Sequence, residues 1–219
     1  AGARLVSHPG VDKVAFTGST EVGKIINRAA TDSMKRVTLE LGGKSPVIVL
    51  PDVNLDEMAR GAAAAIFRNS GQVCVAGSRL YAHRSVFDQL IEGLSEEAST
   101  QWRPRPSLEE GALMGPLVSR EQMDRVMGYV EAGQKAGATV AVGGDTPTSN
   151  GGYYVNPTVL VDVNPEMSVV REEIFGPVVV AQRFDELDEV VKAANDTSFG
   201  LGASVWTKDL SLMHKLAGR

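Results

Sequence analysis

The chain has 219 residues, 43% hydrophobic and 22% charged, enough apolar material for the core of one large domain, or of one domain and part of another. A formal net charge of −5 with dispersed basic residues excludes the basic face that nucleic acid requires, and no apolar run approaches the roughly 20 residues of a membrane span. The first residues lack the apolar stretch of a signal peptide and the chain has one cysteine, so a cytoplasmic, reducing compartment is expected.

Residues 11–17 read as a short strand, followed at once by a turn with a glycine at each end, Gly18 and Gly23. Ser19 or Thr20 can cap the helix that Val22, Ile25, Ile26 and Ala29 mark at helical spacing. A second strand is expected over 36–41, running into Gly42 and Gly43. A third, over 45–50, ends in a continuous apolar run that suits a strand buried in a parallel sheet. Asp52, Val53 and Asn54 read as a helix start, and 55–67 as an alanine-rich helix that packs closely. Gly71 breaks that pattern and leaves Cys74 in a loop before a strand over 78–83.

A helix over 85–101 is stopped by the segment Trp102 to Pro106, whose Arg103 and Arg105 read as a solvated bend. Ser119 opens a long helix to 136, and a strand over 138–142 ends at Gly143, Gly144 and Asp145. Residues 146–152 have the composition of a surface loop. Strands over 157–161 and 178–184 flank the segment 171–177. A helix over 185–195, a strand over 203–207 and helical turns over 210–216 complete the chain, with Trp206 expected in the core. This alternation predicts an α/β fold with a mainly parallel sheet and flanking helices. A glycine-rich strand-to-helix turn belongs to a nucleotide-binding sheet of about five or six strands. Only two or three strand candidates precede residue 50 and the first residue is not methionine, so the sequence reads as the later half of a larger protein.

A lone thiol can form neither an internal disulfide nor a cysteine-rich metal site. Cys74 is therefore either a small buried apolar group, the commoner fate of a free cysteine, or a nucleophile. Its polar, glycine-punctuated loop favours the nucleophile. Glu40 lies upstream on a second glycine-rich segment, Glu40 to Pro46, and is either a general base or a strand-end acid facing solvent. Thiol and carboxylate together suggest acyl transfer through a covalent thioester. Gly18, Ser19 and Gly23 would present a helix start to a phosphate, although such turns by themselves cap many helices. His8, His83 and His214 are scattered, and no metal site is expected.

Four segments together resemble the aldehyde dehydrogenase superfamily, of the NAD(P)-dependent, hydrolytic type. Leu39 to Pro46 looks like its glutamate signature, and Phe67, Gly71, Gln72, Cys74, Ala76 and Arg79 look like its cysteine signature. Phe16 to Gly23 looks like its coenzyme turn, and Glu172 to Val178 like its nicotinamide-side segment. They occur in the family's order across nearly the whole chain.

The resemblance implies residues 1–40 as the end of a Rossmann-like coenzyme domain and 41–219 as a catalytic domain, truncated at its C-terminus. It implies Cys74 as nucleophile and Glu40 as base. NAD or NADP would be held by Thr17, Gly18, Ser19, Gly23, Leu41, Gly42, Glu173 and Phe175. Thr17 would sit behind the nicotinamide ring, Glu173 would hold the ribose hydroxyls, and Phe175 would pack beside the ring; an ordinary surface acid at 173 and core packing at 175 stay open. Glu172 reads as a surface acid. Val73 and Val75 would line the substrate site or fill core. The family's oxyanion asparagine and its ribose-binding lysine and glutamate fall before Ala1, and its oligomerisation strand after Arg219. The implied partners are a small aldehyde and, in the full-length parent, further copies of the chain in a homo-oligomer. CoA-acylating members of the family typically lack the glutamate, so the resemblance with Glu40 present favours water as acyl acceptor. A non-catalytic fragment with little coenzyme binding, or a cysteine-dependent esterase, are the alternatives.

Overall fold

The computed structural model describes residues 1–147 and 151–219, which divide into two compact units, Ala1–Gly43 and Lys44–Arg219. In the first unit, β1 (Lys13–Thr17) and β2 (Arg36–Glu40) pair in parallel, from Lys13 opposite Arg36 to Thr17 opposite Glu40. The crossover between them is α2 (Thr20–Thr31), capped by Ser19, whose Oγ accepts from the Val22 amide at 3.3 Å. Of the apolar positions that marked this helix in the sequence, only Ile26 is buried, together with Gly23 and Ala30. Val6, Val14 and Ile26 form the small core of the unit. Val6 comes from α1 (Gly2–Ser7), a helix the sequence pattern did not reveal: it has no side-chain cap and buries one residue, so docking of Val6 rather than a local signal holds it.

The second unit is built on a six-stranded sheet. Its members are β3 (Pro46–Val49), β4 (Arg79–His83), β5 (Thr139–Val142), β6 (Thr158–Val161), β7 (Val178–Phe184) and β8 (Ser204–Trp206), in the order β5-β6-β7-β4-β3-β8. Every pairing is parallel except β5 with β6, so the strand expected over 138–142 is an antiparallel edge. All four residues of β3 are buried, as its apolar run predicts. Successive side chains go to opposite faces. Val47 and Val49 join the core under α3 (Leu55–Phe67) and α4 (Arg84–Thr100), whereas Ile48 joins the core under α7 (Leu187–Asn195) and α8 (Leu210–Ala217). A third core lies under α5 (Arg120–Lys135) and the short α6 (Ser168–Arg171).

The expected helix starts occur. Asn54 Oδ1 accepts from the Asp56 and Glu57 amides at 3.1 and 3.2 Å, and Ser119 Oγ from Gln122 at 3.1 Å. Small residues on α3 allow the close packing its composition suggests: a Cβ on Gly93 of α4 would lie 3.1 Å from Ala59 Cβ, and Gly61 lies under Trp206. Trp206 is partly buried against that core. Arg103 and Arg105 are exposed, as a solvated bend requires. No sequence pattern marks α6, a single turn that puts Val169 and Val170 into the core. Of the loop expected over 146–152, residues 148–150 lie outside the described residues. Among the described residues, no helix is long and apolar enough to cross a membrane.

Candidate active site

The route from α3 to β4 carries Cys74. After Phe67 the chain makes a turn in which Asn69, Ser70 and Gly71 have φ of 52°, 57° and 70°, all in the left-handed region. Two of these are not glycine, and each such residue costs roughly 1–2 kcal/mol. The turn is held from several sides. Ser70 is buried and its Oγ donates to the Gly115 carbonyl at 2.8 Å, while Asn69 Nδ2 donates to the Gln72 carbonyl at 3.0 Å. The Val118 amide donates to Gln72 Oε1 at 3.0 Å. A second turn follows at once, closed by the Ala76 amide on the Val73 carbonyl at 3.0 Å, with Cys74 and Val75 as its central residues. Gly77 then ties the loop to α3 through the Ala65 carbonyl at 3.0 Å.

Cys74 is half-buried at this tip, not sealed in a core. The flanking valines divide: Val73 packs against the core under α3, whereas Val75 is 53% exposed. Backbone strain over-determined by its surroundings collects at functional sites, and here it lies just before the thiol.

The segment 172–177 packs directly on this loop. Gly176 has its carbonyl against Gly71, so close that a Cβ on Gly71 would meet it at 2.0 Å. On the other side α5 grips the segment with one face, at positions three and four apart. Gln122 Nε2 donates to the carbonyls of Ile174 and Phe175 at 3.1 and 2.9 Å, and Arg125 Nη2 to that of Glu173 at 2.9 Å. The Tyr129 hydroxyl donates to Glu172 Oε2 at 2.6 Å. Burial and this carboxylate push the Tyr129 hydroxyl up to about 12. Glu172 is therefore exposed yet engaged. Phe175 is 38% exposed with φ 58°, so its ring is not core packing. Glu173 is half-buried.

In the first unit, the register that sets Thr17 opposite Glu40 also brings the Gly18 amide to the Glu40 carbonyl at 3.0 Å. The coenzyme-type turn and the candidate base thus leave adjacent strands at the same end. Thr17, Gly18, Ser19 and Glu40 are all exposed there. Gly23 is buried under Leu41, whose Cδ2 would be 2.6 Å from a Cβ at that position. Leu41 and Gly42 are half-buried. Glu40 belongs to one unit and Cys74 to the other.

Two buried cations were quoted in the sequence signatures without a role. Arg79, 1% exposed, opens β4, and the described partners of its guanidinium are neutral. Its Nε donates to the Lys44 carbonyl at 2.7 Å, and its Nη atoms reach the Ala193 and Ala194 carbonyls at 3.1 and 2.8 Å and the Tyr81 hydroxyl at 3.2 Å. It thereby caps the C-terminal end of α7, where the helix dipole favours a cation. Lys44 is 2% exposed, and among the described residues its Nζ has no hydrogen-bond partner. The α5 residues also escaped sequence reading; their only signal was a polar stripe at 122, 125 and 129. Among the described residues, no cluster of histidine, cysteine and acidic side chains could hold a metal ion.

A family model described as the aldehyde dehydrogenase family matches residues 1–219. Human aldehyde dehydrogenase 1A1 is 47% identical over 211 residues, which cover 96% of this chain and 42% of that protein. Phenylacetaldehyde dehydrogenase of Pseudomonas fluorescens is 48% identical over 212 residues, again 96% of this chain and 42% of the relative. Among solved structures, the NAD+ complex of a Bacillus cereus aldehyde dehydrogenase superposes with a TM-score of 0.96 at 48% identity, covering 100% of this chain and 44% of that one. The chain spans less than half the length of these relatives.

Proposed function

Since the chain belongs to the aldehyde dehydrogenase family, we propose that it carries the thiol and the carboxylate of an NAD(P)-dependent oxidation of an aldehyde to a carboxylic acid. The observation that carries this reading is the half-buried Cys74 at the tip of a braced turn, where a merely structural thiol would be sealed.

Residues 1–40 are read as the end of a coenzyme domain and 41–219 as catalytic domain. The exposed start of α2, with Thr17, Gly18 and Ser19 beside the Leu41–Gly42 strand exit, fits a phosphate-bearing coenzyme, as does a carboxylate at Glu173 for ribose hydroxyls. Phe175, whose ring is turned out of the core, fits a place beside the nicotinamide. When bound, the coenzyme supplies the acceptor for the hydride.

Cys74 Sγ, as thiolate, attacks the aldehyde carbon; a C–S bond forms and the carbonyl oxygen becomes an oxyanion, which the Cys74 backbone amide can meet. With coenzyme bound, loss of hydride (the hydrogen with its bonding pair) from that carbon would re-form the carbonyl and leave a thioester on Cys74 Sγ. Glu40 takes a proton from water as the water oxygen attacks that thioester. The C–S bond then breaks, and the acid leaves with Cys74 again a thiolate. The presence of Glu40, which CoA-acylating members of the family typically lack, favours water as acyl acceptor.

The test is Cys74→Ser in the protein that carries this chain, following NADH formation. Undiminished turnover overturns the assignment, and ester cleavage with no coenzyme-dependent oxidation replaces it with an esterase. A cytoplasmic setting is compatible with the unpaired thiol, and self-association of the full-length parent is proposed from the family alone.

A second reading rests on the first unit's sheet, which has two strands where a dinucleotide fold uses about five or six. On that reading this chain alone binds little coenzyme, and saturable NAD binding by the isolated chain would refute it.

A further inference from the structure

Lys44 directly follows the Gly42–Gly43 turn, yet nothing in the chemistry above uses it. Its side chain is sealed, at 2% exposure, and among the described residues its Nζ has no hydrogen-bond partner; the buried Ser45 hydroxyl beside it likewise has none there. The neighbouring cation, Arg79, commits four of its five donors to three carbonyls and a phenol, so each of its nitrogens has a partner where it lies. A buried ammonium without a bonded partner costs several kcal/mol, and an apolar side chain of similar length would pack at no such cost. A group kept at that cost is a candidate for function.

The charges facing it give its direction of action. Arg79, from β4, repels the ammonium, while Glu173 and then Glu172, from the segment between α6 and β7, attract it. The same segment has every carbonyl from Glu173 to Phe175 held by α5, which fixes the backbone from which the Glu173 carboxylate projects.

We propose that Lys44 is a positioning residue for coenzyme binding, its ammonium fixing the orientation in which the Glu173 carboxylate meets the nicotinamide ribose. This rests on the reading of Glu173 given above. It makes coenzyme affinity depend on the proton at Lys44. Burial, with Arg79 adding to it, lowers that group from 10.5 to about 7, against the opposing pull of Glu173 and Glu172. The hold on Glu173 is therefore present below neutrality and lost above it.

The experiment titrates NAD+ by calorimetry into the protein carrying this chain, as wild type, Lys44→Met, Lys44→Arg and Glu173→Gln, between about pH 6 and about pH 9, with melting curves to establish folding. The wild-type Kd is expected to rise roughly tenfold over that range, the scale of one unit of coupled pKa. Lys44→Met should bind weakly and without this pH dependence, and Lys44→Arg, always charged, should keep the low-pH affinity at high pH. On a Glu173→Gln background, Lys44→Met should have no further effect. A flat wild-type profile overturns the proposal and needs no variant to fold. So does Lys44→Met binding as tightly as wild type at the acid end, or a full Lys44→Met effect without Glu173. Absence of saturable NAD+ binding by wild type at every pH is a different result: it removes the coenzyme reading itself, and this inference with it.

Discussion

Gly71 leaves no room for a side chain beside Gly176: at φ 70° its Cβ would stand 2.0 Å from the Gly176 carbonyl oxygen and 2.7 Å from the Pro177 nitrogen. The obstacle is backbone, which cannot swing aside. Gly71→Ala therefore combines a left-handed alanine with overpacking, a loss of roughly 3 kcal/mol in all. Urea unfolding should show a lower midpoint, and alkylation of Cys74 should change rate because the loop and the 172–177 segment shift together. An unchanged midpoint would mean that the two segments are not locked.

Glu40 is placed by the same parallel register that places Thr17, so its substitution should disturb chemistry and not folding. On the proposed mechanism, Glu40→Gln would remove the proton acceptor for the attacking water and leave Cys74 able to form the thioester. The expected signature is a burst of NADH followed by a steady state slower by roughly 10²–10⁴-fold, with mass spectrometry detecting the acyl group on Cys74. A uniform loss of burst and steady state would instead give Glu40 a role before hydride transfer.

Much of this was legible because the signals were local. The helix starts at Ser19, Asn54 and Ser119 are short-range hydrogen bonds between a side chain and an amide two or three residues on. The continuous apolar run of β3 announced burial on both faces, and the glycine-rich turns were read from residue type. What stayed hidden depends on partners far away in the chain. The grip of α5 on the 172–177 segment joins residues about 50 positions apart through backbone carbonyls, which leave no mark on sequence. The antiparallel edge at β5 is a matter of pairing direction, which the composition of residues 138–142 does not encode. Val22 and Ile25 fit a helical stripe, yet only Ile26 of that set is buried, because Val6 and Val14 decide which side is inside.

Arg79 joins β4 to the end of α7 and to the start of β3, so its removal should act on stability. Arg79→Leu leaves the buried carbonyl of Lys44 and the half-buried carbonyls of Ala193 and Ala194 without this donor. The loss expected for breaking such an array is roughly 3–5 kcal/mol, read from urea unfolding. Arg79→Lys should restore only part of it, since one ammonium cannot reach two separated acceptor sets. Full stability in Arg79→Leu would show that water satisfies those carbonyls.

Lys44 should leave its own mark on stability, separate from coenzyme. Its folded-state value is about 7 against 10.5 for an ordinary lysine, with burial the largest cause. Below about pH 7 both folded and unfolded chains carry the proton, and above 10.5 neither does, so this group contributes no slope in either range. Between the two the unfolded chain binds a proton that the folded chain lacks, so stability rises with pH, by up to about 1.4 kcal/mol per unit. Lys44→Met removes that slope along with the cost of the buried charge. Its advantage over wild type, measured by urea unfolding without coenzyme, is expected to be greatest in mild acid and to shrink steadily toward pH values around 9. A stability difference that stays constant across the range would place the Lys44 proton outside the neutral window, and with it the pH dependence expected of coenzyme binding.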